Sequence, residues 1–353
     1  MNKMVKVLVT DDSLFMRKII SDFLNAHPQI SVVATAKNGQ EALEKINEFS
    51  PDVVTLDVEM PVLDGLSTLE NIMTHNPLPV IMLSSTTESG AVNTIKAMEL
   101  GAIDFIPKPS GSISLDLYKV KEELIEKVLL ASTVIPPKKN SQKTERTKSE
   151  NSKKYLKVFN GKVDNTIIGI GTSTGGPRAL QEILCSLPKQ TVAPIFIVQH
   201  MPPHFTKSLA NRLNSVSEIT VVEAVHGQKV EKGTAYIAPG GLHMEVAEQF
   251  GDLTIQLSET EPFKGHRPSV NKLFYSLSLL RNYKKIAVVM TGMGTDGTDG
   301  ILQLKKNDES TVIIAESEES SVIFGMPKAA IQTGKVDEIV HLQHVTNTIL
   351  KYI

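Results

Sequence analysis

Short β-branched runs alternate with amphipathic stripes along most of this chain, and that alternation admits few folds. Val5–Val9, Val32–Ala36, Val53–Leu56, Val80–Leu83 and Phe105–Ile106 have the length and composition of buried strands. Between the first of them, Phe15, Ile19 and Phe23 recur at four-residue spacing, and Ala42, Leu43, Ile46 and Phe49 mark a second stripe. Residues 114–130 supply a last helix. Strand, helix, strand in this order implies a parallel sheet with right-handed crossovers. The pattern returns at 166–170, 194–198, 286–290 and 312–315. Residues 233–258 differ: Ala235–Pro239, His243–Glu248 and Leu253–Leu257 are separated by Gly240-Gly241 and Gly251-Asp252, which reads as an antiparallel insertion. The fold class expected is α/β, with two mainly parallel sheets.

A tether separates the two halves. After Pro136-Pro137 the chain runs through Lys, Asn, Ser, Gln, Thr and Glu with no large apolar residue until Tyr155, so it cannot bury a core. The expected division is 1–130, a linker over 131–162, and 163–353. Glu145 and Glu150 dilute the basic residues of the tether, and the net charge of −2 leaves no footprint for nucleic acid. No apolar run reaches the roughly 18–20 residues of a membrane span, and the first residues read as a strand rather than a signal peptide. The single cysteine, Cys185, lies among Ile183, Leu184 and Leu187 and excludes an intrachain disulfide framework. A soluble cytoplasmic protein is expected.

Three polar motifs stand at the ends of the C-terminal apolar runs. Gly171-Thr-Ser173-Thr-Gly175 fits G-x-S-x-G, the turn that lifts a serine hydroxyl above a sheet. Gln199-His200-Met-Pro and Thr291-Gly-Met-Gly-Thr-Asp296-Gly follow two other strands. In a parallel sheet these positions share one edge, where His200 could take the proton of Ser173 and Asp296 could orient the imidazole. Main-chain donors near Thr174 and Met293 are candidates for an oxyanion hole. Each piece has a plainer alternative: Ser173 as a helix cap, His200 as a structural histidine, Asp296 as a turn residue. Gly169-Ile-Gly171-Thr-Ser-Thr-Gly175 also approaches a dinucleotide fingerprint, but Thr174 stands where its last glycine belongs.

Five further polar residues end strands of the N-terminal half. Asp11 and Asp12 follow the first, Asp57 ends the third, Ser84 the fourth, and Lys108 follows the fifth. In strand order 2-1-3-4-5 the carboxylates converge at the switch point. Together they call for a hard cation such as Mg²⁺. The set could hold a phosphoryl group on Asp57, with Lys108 neutralising it and Ser84 bonding one of its oxygens.

Val-Thr-Asp11-Asp12-Ser, Leu-Asp57-Val-Glu-Met-Pro, Asp64-Gly65, Leu-Ser84-Ser and Gly101-Ala-Ile-Asp-Phe105-Ile-Pro-Lys108-Pro resemble the response-regulator receiver domain. The resemblance implies a flavodoxin-like (βα)5 fold and phosphorylation of Asp57 by a partner histidine kinase. It also implies Mg²⁺ held by Asp11, Asp12, Asp57 and the main chain near Glu59, with Phe105 at the aromatic switch position.

Gly171-Thr-Ser173-Thr-Gly-Gly, Gln199-His200-Met-Pro-Pro, Ala235-Tyr-Ile-Ala-Pro-Gly, His266-Arg-Pro-Ser-Val, Thr291-Gly-Met-Gly-Thr-Asp296-Gly and Phe324-Gly-Met-Pro closely resemble the catalytic domain of the chemotaxis protein-glutamate methylesterases. Thr172 stands where that family usually has alanine, and Thr295 where it often has asparagine. The resemblance implies a doubly wound catalytic domain that hydrolyses γ-glutamyl methyl esters of chemoreceptors and deamidates selected receptor glutamines, with no cofactor for the ester chemistry. It implies catalytic roles for Ser173, His200 and Asp296, and a receiver that covers the cleft until phosphorylated. His266, Arg267 and Ser269 are candidates for the cleft wall. The alternative is a non-catalytic response regulator whose output domain binds a protein partner.

Overall fold

The computed structural model describes residues 3–108, 115–134, 136 and 165–353. Strands β1 (Val5–Thr10), β2 (Ile30–Ala36), β3 (Val53–Asp57), β4 (Val80–Ser84) and β5 (Asp104–Pro107) form one parallel sheet in the order β2-β1-β3-β4-β5. Helices α1 (Leu14–Asn25), α2 (Gly39–Phe49), α3 (Gly65–His75), α4 (Glu88–Leu100) and α5 (Leu115–Ala131) cover its faces. Local chemistry sets their ends. The Asp64 carboxylate accepts the amide of Ser67 at 2.7 Å and starts α3, while Gly101, at φ 114°, ends α4 in a left-handed conformation closed to most side chains. The expected linker falls outside the described residues except for 131–134 and 136.

A second parallel sheet begins at β6 (Thr166–Thr172) and continues with β7 (Ile195–Gln199), β8 (Thr220–Glu223), β9 (Thr234–Ile237), β12 (Lys284–Val289), β13 (Val312–Glu316) and β14 (Glu338–Val340). Its order is β14-β13-β12-β6-β7-β9-β8. Among the described residues β10 (His243–Gln249) and β11 (Asp252–Ser258) are the strands that pair antiparallel, with isolated antiparallel bridges at Lys229–Thr254 and Phe263–His266. The expected insertion is therefore smaller than its sequence span: β9 joins the main sheet in parallel to β7 and β8. Burial explains the difference. All four residues of β9 are buried, as a strand covered on both faces must be, whereas β10 exposes its last residues. The hairpin turns at Phe250 and Gly251, both at positive φ. Strands β8 and β14 were not legible in the sequence, being short and half exposed.

The two sheets are joined by more than the tether. Helix α4 packs on the helices Phe205–Val216 and Gly176–Ser186. One continuous apolar cluster runs from Leu56, Met82, Met98 and Phe105 to Leu184, Phe205 and Leu209. Glu99 of α4 accepts a 2.6 Å hydrogen bond from Arg212 at its rim.

Candidate active site and phosphoacceptor site

The C-terminal edge of the second sheet gathers the three polar motifs. Ser173 follows β6, and its amide donates to the Thr291 carbonyl at 3.0 Å. Helix Gly176–Ser186 starts at once, with Pro177 in its first turn, where a missing amide costs nothing. The turn is tight against its neighbour: a Cβ on Gly292 would lie 2.8 Å from Cβ of Ser173, so only glycine lets the two loops meet. His200 follows β7, and its amide donates to the Thr172 carbonyl at 3.1 Å.

His200 and Asp296 are directly paired, Nε2 to Oδ2 at 2.8 Å. Asp296 is held from all sides. Its Oδ2 also accepts the amide of Val270 at 2.7 Å, and its Oδ1 accepts the Ser269 hydroxyl at 2.9 Å and the amide of Asn271 at 3.0 Å. Burial pushes this carboxyl up, but the bond from His200 and the two amides outweigh it and hold the group below its ordinary range. The helix Val270–Ser278 thus begins on Asp296, a placement its N-terminal dipole favours.

The other nitrogen of His200, Nδ1, is buried and has no hydrogen-bond partner among the described residues. The ring of His266 stacks on that of His200 with centroids 4.1 Å apart and planes 7° apart. Burial, then the neighbouring His200, lowers His266 to about 4, against a weaker pull from Asp296, so this ring is neutral at pH 7. Arg267 is turned to its own loop, donating to the carbonyls of Glu259 at 2.8 Å and Thr260 at 3.1 Å. Among the described residues the amides of Thr174 and Met293 donate to no backbone carbonyl. Ser269, Val270 and Asn271, as supports of Asp296, could be anticipated only in part: Ser269 carries a helix-cap signal, whereas the amides carry none in sequence.

At the C-terminal edge of the first sheet, Asp11, Asp12 and Asp57 offer carboxylate oxygens all within 4.8 Å of one another. Lys108 pairs with Asp11 at 2.8 Å and with Asp57 at 2.7 Å. The amide of Glu59 donates to Asp57 at 3.3 Å. Burial raises the Asp57 carboxyl to about 6; Lys108 opposes the shift and Asp11 adds to it. Oxygen donors gathered this closely suit a hard divalent ion. Ser84 ends β4, one residue past the Leu83 that pairs with Asp57. Its hydroxyl is buried and donates to the carbonyls of Gly90 at 3.1 Å and Ser85 at 3.2 Å. A buried hydroxyl takes the nearest acceptor, and the first turn of α4 supplies one.

A family model of the CheB methylesterase matches residues 168–349, and one of the response regulator receiver domain matches residues 7–117. The protein-glutamate methylesterase/protein-glutamine glutaminase of Oceanobacillus iheyensis is 52% identical over 353 residues, covering 99% of each chain. The chain belongs to the CheB methylesterase family. A relative of the same description from Pyrococcus horikoshii is 45% identical over all of this chain and 95% of its own. The crystal structure of the Thermotoga maritima CheB methylesterase catalytic domain is 42% identical, with a TM-score of 0.52, and covers 54% of this chain and all of its own. Family membership accounts for a receiver sheet and a methylesterase sheet in one chain.

Proposed function

We propose that this chain is a phosphorylation-activated serine esterase that hydrolyses glutamate γ-methyl esters on chemoreceptors and deamidates selected receptor glutamines. The observation that carries the reading is the convergence of Ser173, His200 and Asp296 on one sheet edge, with His200 and Asp296 paired at 2.8 Å. Because Nε2 of His200 faces Asp296, the nitrogen left to accept the Ser173 proton is Nδ1, which has no other partner among the described residues.

The reaction follows from these roles. Ser173 Oγ attacks the ester carbonyl as His200 takes its proton, and the amides of Thr174 and Met293 bond the oxyanion. The proton passes to the departing methanol, or to ammonia from a glutamine. Water, deprotonated by His200, then releases glutamate and frees Ser173. His266 and Arg267 belong to the cleft wall: the neutral His266 ring shields His200, and Arg267 fixes the loop that carries it.

Residues 1–130 form the receiver, 131–162 the linker and 163–353 the esterase in this reading. Asp57 accepts the phosphoryl group from a chemotaxis histidine kinase. Asp11, Asp12, Asp57 and the main chain of Glu59 would hold Mg²⁺, whose charge offsets that of the incoming phosphoryl oxygens. Lys108 stands ready to pair with one of those oxygens, and Ser84 reaches another only after leaving Gly90. The protein acts in the cytoplasm. In keeping with that, no described helix is long and apolar enough to cross a membrane.

The test is methanol release from methylated chemoreceptor membranes, with and without phosphodonor and Mg²⁺, with Ser173→Ala as control. Serine-dependent release that rises with phosphodonor is expected. No release from folded protein on competent receptors would overturn the reading.

A further inference from the structure

We infer that Glu316 is a positioning residue for the esterase chemistry, acting through Thr291 on both the nucleophile turn and the oxyanion loop. The inference rests on the reading of Ser173 as nucleophile.

Glu316 ends β13 and is fully buried. Its hydrogen bonds come from neutral groups: the amide of Thr291 donates to Oε2 at 2.7 Å, and the Ser320 hydroxyl donates to Oε1 at 2.9 Å. A buried carboxylate held by neutral donors is costly to retain, so its presence calls for a reason.

Sheet geometry supplies one. Strands β12 and β13 stay in register as far as Val289 and Ala315, and Glu316 is then aligned with Val340 of β14 on the other side. Thr291 therefore leaves the sheet with its amide facing no strand. The Glu316 side chain takes the place of the missing acceptor.

Thr291 is the fastening point of the site. Its carbonyl accepts the Ser173 amide at 3.0 Å and the Thr172 hydroxyl at 2.9 Å. Its own hydroxyl donates to the Thr174 carbonyl at 2.9 Å and accepts the amide of Ile323 at 3.0 Å. Three successive residues of the nucleophile turn are thus tied to one threonine. Two residues further on, Met293 carries the second proposed oxyanion donor. The spacing between the amides of Thr174 and Met293 is set through Thr291, and Thr291 is held in place by Glu316. What the site needs from residue 316 is an acceptor oxygen at that distance, not a charge. A displacement of about 1 Å in such a constellation can cost roughly 100-fold in rate.

The test uses the full chain, four variants at Glu316 and Ser320, and Ser173→Ala as control. Steady-state kcat and KM on receptor methyl esters are measured beside the rate of covalent modification of Ser173 by a p-nitrophenyl phosphonate, whose phosphonyl oxygen needs the same donors. Glu316→Gln keeps an acceptor and should stay within about 3-fold of the parent in both rates, a small effect beside the roughly 100-fold of a misplaced site. Glu316→Met keeps the volume but not the acceptor. It should lose roughly 100-fold in kcat and in phosphonylation, with KM and the pH profile of kcat/KM little changed. Glu316→Asp withdraws the acceptor by one methylene and should fall between them, which keeps the test open if the methionine variant does not fold. Ser320→Ala removes the second bond to Glu316, together with the bond its hydroxyl accepts from the Leu342 amide, and leaves the Thr291 bond in place, so it should behave like the parent. Parent-like rates in folded Glu316→Met and Glu316→Asp, or equal losses in Glu316→Gln and Glu316→Met, would overturn the inference. Phosphonylation that persists in Ser173→Ala would instead sink the reading of Ser173 itself.

Discussion

The hydroxyl of Thr174 donates to the carboxylate of Asp104, so a side chain of the first sheet holds the residue next to Ser173. Asp104 opens β5, where the amide of Phe105 bonds it at 2.8 Å and Lys127 pairs with it at 3.3 Å. Lys127 also donates to the Phe105 carbonyl at 2.7 Å. The Phe105 ring in turn stacks on Phe205 with centroids 4.6 Å apart. One short strand therefore touches the catalytic half twice, once through a carboxylate and once through an aromatic ring. In the proposed reaction Thr174 is an oxyanion donor, and a carboxylate beside it opposes the charge that the reaction must develop.

Removing that contact should raise basal activity. In Asp104→Ala the unphosphorylated protein should turn over up to about tenfold faster, the scale of one hydrogen bond across the interface. Methanol release without phosphodonor measures it. An unchanged basal rate would mean that Asp104 does not restrain the turn.

Phosphodonor and Mg²⁺ should stimulate the parent and leave Asp57→Ala at its basal rate. Residues 159–353 alone should exceed the unphosphorylated whole, because they lack α4 and β5. Side-by-side initial rates decide both points, and equal rates for the fragment and the whole would argue against inhibition by the receiver.

Asp296→Asn should lower kcat by roughly 10⁴-fold, since the amide cannot stabilise an imidazolium or hold its tautomer, and should also lower stability, because its NH2 must face the amide of Val270 or of Asn271. A loss below about tenfold would argue that Asp296 serves only the turn at 292–297.

Mg²⁺ should protect the fold more at pH 7.5 than at pH 5. The Asp57 carboxyl, raised to about 6, is charged and poorly solvated at the higher pH. Its native value lies above the unfolded one, so the apo protein gains stability as pH falls from about 6 toward the ordinary value near 3.9. Mg²⁺ relieves the same carboxylate and competes with the proton. Melting curves at the two pH values, with Asp57→Asn as control, read the difference.

His266 predicts an opposite trend. Its native value of about 4 lies below the unfolded one, so the unfolded chain binds the proton first. Stability from this group is present above about 6.5 and declines as pH falls toward 4. His266→Gln should flatten that part of the stability profile. A slope identical to the parent would place the acid sensitivity elsewhere.

The sequence by itself determined the alternation of strands and helices, and therefore the edge of each sheet on which polar residues collect. Ser173, His200 and Asp296 were legible because each ends an apolar run, and parallel strands bring such ends together whatever lies between. Asp11, Asp12, Asp57 and Lys108 were legible for the same reason. Tertiary structure decided what no periodicity encodes. It bonded the Ser84 hydroxyl to Gly90, drew β9 into the main sheet, and set His266 against His200. It also brought Asp104 to Thr174 across 70 residues and Glu316 to Thr291 across 25. Local spacing fixes where a side chain leaves its own element. Which buried donor meets which acceptor depends on how separate elements pack, because a polar group shut away from water bonds the partner that packing supplies.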